Sequence, residues 1–172
     1  NEAAIKLARL YGHKNGVENP HIIVMEKAWH GRTLATLAAT GSRKAQAGFE
    51  PMMDGFVRVP YNDAIAVQQI AKNQSNIVGV LVEVLQGEAG VIMADLEYIR
   101  TLRTICDKQE WLLMIDEVQC GIGRTGYDGR MTLLAPPGGQ SGLERRGIAA
   151  LYGDTPGELR TARVDGETQV AE

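Results

Sequence analysis

Cysteine, aromatic side chains and long apolar stretches are all sparse in this sequence, and each shortage removes a class of protein. Two cysteines, Cys106 and Cys120, cannot build a disulfide framework and fit a reducing cytoplasm. The longest apolar stretch, Ile77 to Leu85, is broken by Gly79 and Glu83, so no segment reaches membrane-spanning length. Positive charge is not in excess either. A formal net charge of −3, with Lys and Arg scattered along the chain, leaves no basic field for nucleic acid. An initiating methionine and a signal peptide are both missing from the start. Asn1 opens a helical spacing already running at Ile5, Ala8 and Tyr11, so a fragment of a longer product is expected.

What is present belongs to an ordinary cytoplasmic α/β protein. The 172 residues, 44% of them apolar, suffice for one domain with a real core. Four short runs rich in Val, Ile, Leu and Met recur at 21–27, 56–60, 76–85 and 111–118. They lack in/out alternation, as do strands covered on both faces. Helical patterns lie between them at 31–40, 63–73 and 96–109, the last with Leu96, Ile99, Leu102, Arg103 and Cys106 along one side. Asp63 and Asp95 stand where N-caps are expected. Strand and helix alternate, which predicts a mostly parallel sheet with helices on both faces.

The texture changes at about Tyr127. Residues 127–172 hold eight glycines, three prolines and no lysine, and Pro136-Pro137-Gly138-Gly139 stops either kind of regular element. A poorly packed tail is expected there, without strands of the earlier kind and with one short helix near 143–151.

Ligands of a parallel sheet collect beyond the carboxyl ends of its strands, and three such ends are unusually polar. Asp116 follows four apolar residues, where a half-buried acid needs a cationic or hydrogen-bonding partner; capping the next turn is the plainer alternative. Glu83, Gln86 and Glu88 follow the third run, among glycines that let backbone approach a ligand. A solvated turn would account for Gly90 but poorly for Glu83, which still lies inside the apolar run. Trp29, His30 and Arg32 crowd around Gly31 after the first run, and together can stack on a flat ring and bind a carboxylate; a Trp after a strand is also commonly core. Gly121-Ile122-Gly123-Arg124-Thr125-Gly126 has dinucleotide-binding spacing. It lacks the strand-to-helix turn that this fingerprint requires and is set aside.

In this order, His30-Gly31-Arg32-Thr33, Gln86-Gly87-Glu88-Ala89-Gly90 and the stretch from Asp116-Glu117-Val118-Gln119-Cys120 to Gly126 resemble the class III pyridoxal-phosphate-dependent aminotransferases of the acetylornithine type. Asn1-Glu2-Ala3-Ala4-Ile5-Lys6 looks like the helix start that follows that family's phosphate-binding turn. The resemblance covers residues 1–126 and implies a partial large domain of the fold type I architecture, residues 127–172 being an atypical tail. It implies pyridoxal 5'-phosphate as cofactor, with Asp116 on the pyridine nitrogen, Gln119 on the phenolic oxygen and Trp29, where the family usually has Phe, stacked on the ring. Glu83 would be a supporting acid, Arg32 would bind a substrate carboxylate, and Glu88 would pair with a mobile arginine from a domain not present here.

The implied reaction moves an amino group between N-acetylornithine, or a related basic amino acid, and 2-oxoglutarate, in a cytoplasmic homodimer serving arginine biosynthesis. The family's Schiff-base lysine lies downstream of Asp116 and Gln119, whereas the last lysine here is Lys108. No catalytic lysine can therefore be assigned, and the chain alone is expected to be inactive. The abrupt change after Gly126 fits a shifted reading frame or a mispredicted gene end. The alternative is a non-catalytic module that pairs with a full-length aminotransferase subunit.

Overall fold

The computed structural model describes residues 1–121 together with two short strands at 132–134 and 148–149. The chain opens with α1 (Glu2–Lys14) and β1 (His21–Met25), then the short helices α2 (Leu34–Ala39) and α3 (Arg43–Gln46) and strand β2 (Phe56–Val59). It continues through α4 (Ala64–Asn73), β3 (Ile77–Glu83), the small pair β4 (Leu85–Gln86) and β5 (Ile92–Met93), α5 (Leu96–Gln109) and β6 (Leu112–Asp116). Strands β7 (Thr132–Leu134) and β8 (Ile148–Ala149) follow.

Six strands form one sheet in the order β2-β1-β3-β6-β7-β8. The first four are parallel, while β7 and β8 add antiparallel pairs. Because β2 lies to one side of β1 and β3 to the other, the winding direction reverses between β1 and β3. The expected architecture is thus present as a mostly parallel sheet with helices on both faces. Successive strand residues serve opposite faces. Ile22 and Val24 of β1 and Leu112 and Met114 of β6 pack with Ala4, Ile5 and Ala8 of α1 and Ala35 and Ala39 of α2. Ile23, Met25 and Leu113 pack instead with Val67 of α4 and Tyr98, Leu102 and Cys106 of α5.

Two contacts show how the helices are held. A Cβ on Gly12 would come within 2.6 Å of Val78 and 2.7 Å of Pro20, so only glycine lets α1 lie this close to the sheet. Arg58, on β2, donates to the carbonyls of Ala38, Ala39 and Thr40 at the end of α2 and to Met25 of β1, satisfying acceptors that a helix terminus leaves free.

Several details depart from the sequence pattern. The buried stripe of α5 is Tyr98, Leu102, Ile105 and Cys106, with Ile99 and Arg103 partly buried and Leu96 exposed. Asp63 caps α4 by accepting from the Ala66 amide at 2.9 Å, whereas Asp95 occupies the N-cap position of α5 without a side-chain capping bond. Strand β2 is only partly covered, as an edge strand can be. In the tail, β7 and β8 are short antiparallel strands unlike the earlier buried runs, and Ile148–Ala149 is extended where a short helix was expected; pairing with β6 through β7 supplies hydrogen bonds that the local sequence does not advertise. The expected looseness of the rest of the tail, and most of the glycine-rich motif beyond Gly121, lie outside the described residues.

Candidate active site

Glu83 closes β3 and Asp116 closes β6, and the two are paired across the parallel ladder. By strand parity each continues the side-chain row facing α1 and α2, Glu83 after Leu81 and Asp116 after Met114. Both are buried, at 3% and 4% exposure, so two carboxylates are held side by side at the sheet's carboxyl edge. Such a pair must be compensated by hydrogen bonds or protonation.

The loop after β1 supplies the first compensation. Gly31 has φ +131°, and a Cβ there would meet the Thr36 hydroxyl at 2.6 Å. The turn is closed by the His30 amide donating to Thr40 Oγ1, by Thr40 Oγ1 donating to the Gly31 carbonyl, and by the Gly41 amide donating to the Ala28 carbonyl. Glu2 braces its far side, accepting from the amides of Ala35 and Thr36 and from the Thr33 hydroxyl. Trp29 and His30 are thereby presented to the two acids.

Asp116 Oδ2 accepts from His30 Nδ1 at 2.8 Å and from Asn1 Nδ2 at 2.7 Å, while Oδ1 accepts from the Val118 amide at 3.1 Å. Burial alone would raise this carboxyl. The His30 hydrogen bond and charge, the Val118 amide and the Asn1 amide outweigh it and hold Asp116 below its ordinary value. Glu83 has less support. Its Oε2 accepts from the Trp29 amide at 2.8 Å, and burial, with the neighbouring charges of Asp116 and Glu88, pushes it up to about 7. The Glu83 carbonyl accepts from the Tyr61 hydroxyl at 2.8 Å, which pins the strand end.

The other expected residues line up around this pair at different depths. Gln119 lies against Gly87, so closely that an added Cβ would sit 1.9 Å from its Oε1. Gln119, Gly87 and Glu88 line an open cavity of about 540 Å³ with Leu85, Val91 and Cys120. Gln119 and Cys120, which line it, lie three and four residues after Asp116 at the end of β6. Glu88 is exposed on the hairpin between β4 and β5. Arg32 is exposed too, its guanidinium 4.9 Å from the centre of the Trp29 ring, a cation–π contact. Glu83 thus touches the Trp29 amide and pairs with Asp116 across the ladder, Gln119 lies against Gly87, and Arg32 lies against the Trp29 ring. A cavity of about 480 Å³ at the opposite end of the sheet, beside Tyr11, Asn15 and Trp111, carries no such convergence of acids.

Three members of the cluster were not singled out for a role by sequence: His30, Asn1 and Tyr61. His30 was visible as a neighbour of Trp29, but nothing in the local pattern aims its ring at an acid 86 residues away. Among the described residues no group of His, Cys, Asp and Glu is arranged to hold a metal ion, and no helix is long and apolar enough to cross a membrane.

Comparison with known proteins identifies relatives of the stretch that carries these residues. The acetylornithine aminotransferase of Nitrosomonas europaea is 63% identical over 126 residues, covering 73% of this chain and 32% of that protein. A Bordetella parapertussis acetylornithine aminotransferase is 58% identical over the same length. The chain thus spans about a third of the curated relatives it matches. Among solved structures, the ornithine aminotransferase from Toxoplasma gondii superposes with a TM-score of 0.69 at 28% identity, over 73% of this chain and 30% of that one. A second structure of that enzyme, crystallised with oxidised glutathione, shows partial occupancy of PLP at its active site. The N-acetylornithine aminotransferase of Stenotrophomonas maltophilia gives 0.57 at 28% identity, over 73% and 29% of the two chains. With the class-III aminotransferase model matching residues 1–128, the site-bearing part of the chain included, this protein belongs to the class-III aminotransferase family.

Proposed function

We propose that this chain is the cofactor-recognition part of an aminotransferase that uses pyridoxal 5'-phosphate to exchange an amino group between N-acetylornithine, or a related basic amino acid, and 2-oxoglutarate. The observation that carries the reading is a buried carboxylate, Asp116, at the sheet's carboxyl edge and kept ionised by its hydrogen bonds. The residues fit the cofactor. Of the roughly four acceptor positions on a carboxylate, three are filled on Asp116, leaving one on Oδ1 for a ring N–H. When bound, the cofactor supplies an electron sink for the substrate carbon that loses its proton.

The chain's own residues prepare that step. Asp116 would keep the pyridine nitrogen protonated, Trp29 would give a stacking face, and Gln119 would donate to the phenolic oxygen. Glu83 fixes Trp29 through its backbone amide. Arg32, steadied by the indole, binds a substrate carboxylate, and Glu88, exposed at the cavity rim, pairs with an arginine from elsewhere in the whole enzyme. The whole protein is cytoplasmic and homodimeric in this reading, a second copy covering the exposed apolar side chains Leu34, Phe49 and Met53. Lys108 is exposed in the last turn of α5, across the length of β6 from Asp116, and cannot anchor the cofactor. The isolated chain therefore binds without turning over.

Fluorescence titration of the 172-residue chain with pyridoxal phosphate tests this. Asp116→Asn should weaken binding about tenfold or more, as expected for a lost charge-assisted hydrogen bond. Borohydride treatment should leave no single lysine stoichiometrically modified. Equal affinity in the variant, or one lysine fully modified, would overturn the reading.

A further inference from the structure

The two oxygens of Asp116 are not equivalent. Oδ2 takes both long-range side-chain donors, from His30 and Asn1, while Oδ1 takes only the Val118 amide two residues along the chain. A carboxylate oxygen offers about two acceptor positions. Oδ2 is therefore full and Oδ1 half full.

His30 is built to hold this arrangement. Its side chain has no exposed surface. Its amide donates to Thr40 Oγ1, its carbonyl accepts from the same Asn1 amide group that reaches Asp116, and Nδ1 donates to Oδ2. The backbone is held at its amide and carbonyl and the ring at Nδ1, while among the described residues Nε2 and Asn1 Oδ1 have no partner. Three separate chain segments, the start of α1, the loop after β1 and the end of β6, thus converge on one oxygen atom.

We propose that His30 and Asn1 are positioning residues that saturate Oδ2 and so commit Oδ1 as the atom that meets the ring nitrogen of the cofactor. This deepens the assignment of Asp116 above and rests on it. Rotating the carboxylate about its Cβ–Cγ bond would strip Oδ2 of two donors in a buried site, so the orientation is fixed before any ligand enters. The same donors keep the carboxylate charged, and only a charged carboxylate holds a bound pyridine nitrogen in its protonated form.

The experiment uses the whole 172-residue chain and pyridoxamine phosphate labelled with ¹⁵N in its ring. Affinity comes from fluorescence titration and nitrogen protonation from the ¹⁵N chemical shift. His30→Leu removes the donor and should weaken binding about tenfold and move the ring-nitrogen shift toward the unprotonated value. His30→Asn, whose amide nitrogen takes the place of Nδ1, should restore most of both. Asn1→Ala should act in the same direction as His30→Leu and more weakly. Equal loss in His30→Leu and His30→Asn, or an unmoved nitrogen shift in His30→Leu, overturns the proposal. Should His30→Leu fail to fold, by circular dichroism and urea titration, His30→Asn and Asn1→Ala decide alone: His30→Asn must retain ring-nitrogen protonation that Asn1→Ala lowers. Asp116→Asn separates the two levels. If it abolishes nitrogen protonation while the His30 and Asn1 variants do not, only the positioning roles fall; if neither it nor they change anything, or the chain binds no ligand, both readings fall.

Discussion

Replacing Glu83 by glutamine and titrating both proteins from about pH 5 to about pH 9 isolates a buried acid that its one hydrogen bond does not fully compensate. In the folded chain its carboxyl is pushed from 4.5 to about 7, chiefly by burial and then by the charges of Asp116 and Glu88 against the opposing Trp29 hydrogen bond. The sign is that of a raised acid. Below pH 4.5 the group is protonated folded and unfolded, and contributes nothing to pH dependence. Between 4.5 and 7 the unfolded chain releases its proton while the folded chain keeps it, so stability falls with rising pH by about 1.4 kcal/mol per pH unit at most. Above 7 the loss levels off at up to about 3 kcal/mol. Glutamine can still accept from the Trp29 amide and cannot ionise. Whatever its own amide protons cost is independent of pH, so the slope of the difference is the measurement. Urea unfolding followed by circular dichroism should show the Glu83→Gln chain gaining on the parent as pH rises to about 7, then running parallel to it. Every other titrating group is common to both chains. Two stability curves that stay parallel throughout would mean that Glu83 ionises freely in the fold, and the reasoning from its burial would fail.

Arg58→Met should cost about 2 to 3 kcal/mol in the same urea experiment, because Ala38, Ala39, Thr40 and Met25 lose a shared donor in a half-buried position; a loss under about 0.5 kcal/mol would show that water replaces the guanidinium. Gly87→Ala places a methyl where the Gln119 Oε1 now lies, 1.9 Å from the new Cβ. The end of a flexible side chain can move, so stability should change little while pyridoxal phosphate affinity drops severalfold, and unchanged affinity would remove Gln119 from the site.

Strands and long helices were legible because burial on both faces writes itself as unbroken apolar runs, and α5 begins and ends where its pattern does. Legibility failed where the decisive partner is remote. The Glu83–Asp116 pairing is a register, fixed by which strand lies beside which, and no periodicity encodes it. Asn1 looked like the first residue of a helix, and only the fold brings its amide to an acid 115 residues away. Leu96 misled because apolar spacing reports only a potential face, and the fold leaves this position of it uncovered. The short strands β7 and β8 were not legible for a related reason. Three-residue pairings are set by an available neighbour, here β6, more than by their own composition.

The winding of the sheet explains why these remote groups meet where they do. The chain leaves β1 toward β2 on one side and returns through α4 to β3 on the other, so the connections leaving the carboxyl ends of β1 and β3 diverge. A crevice must open between diverging connections, and it is the one place along the edge where no crossover covers the sheet. Trp29 and His30 leave from β1, Glu83 ends β3, and Asp116 stands beside Glu83 on β6. The apolar strands could have ended in any small polar residue; an acid at each of two adjacent buried ends carries a cost, which the raised Glu83 carboxyl reflects. A cation brought into the crevice relieves that cost. It follows that a protonated ring should bind with coupled stabilisation of the fold, and that Glu83→Gln, by removing part of the unfavourable charge beforehand, should lessen the stabilisation that pyridoxamine phosphate gives at about pH 8. Thermal melts of the two chains with and without this ligand measure the coupling, and an equal ligand-induced rise in both would refute it.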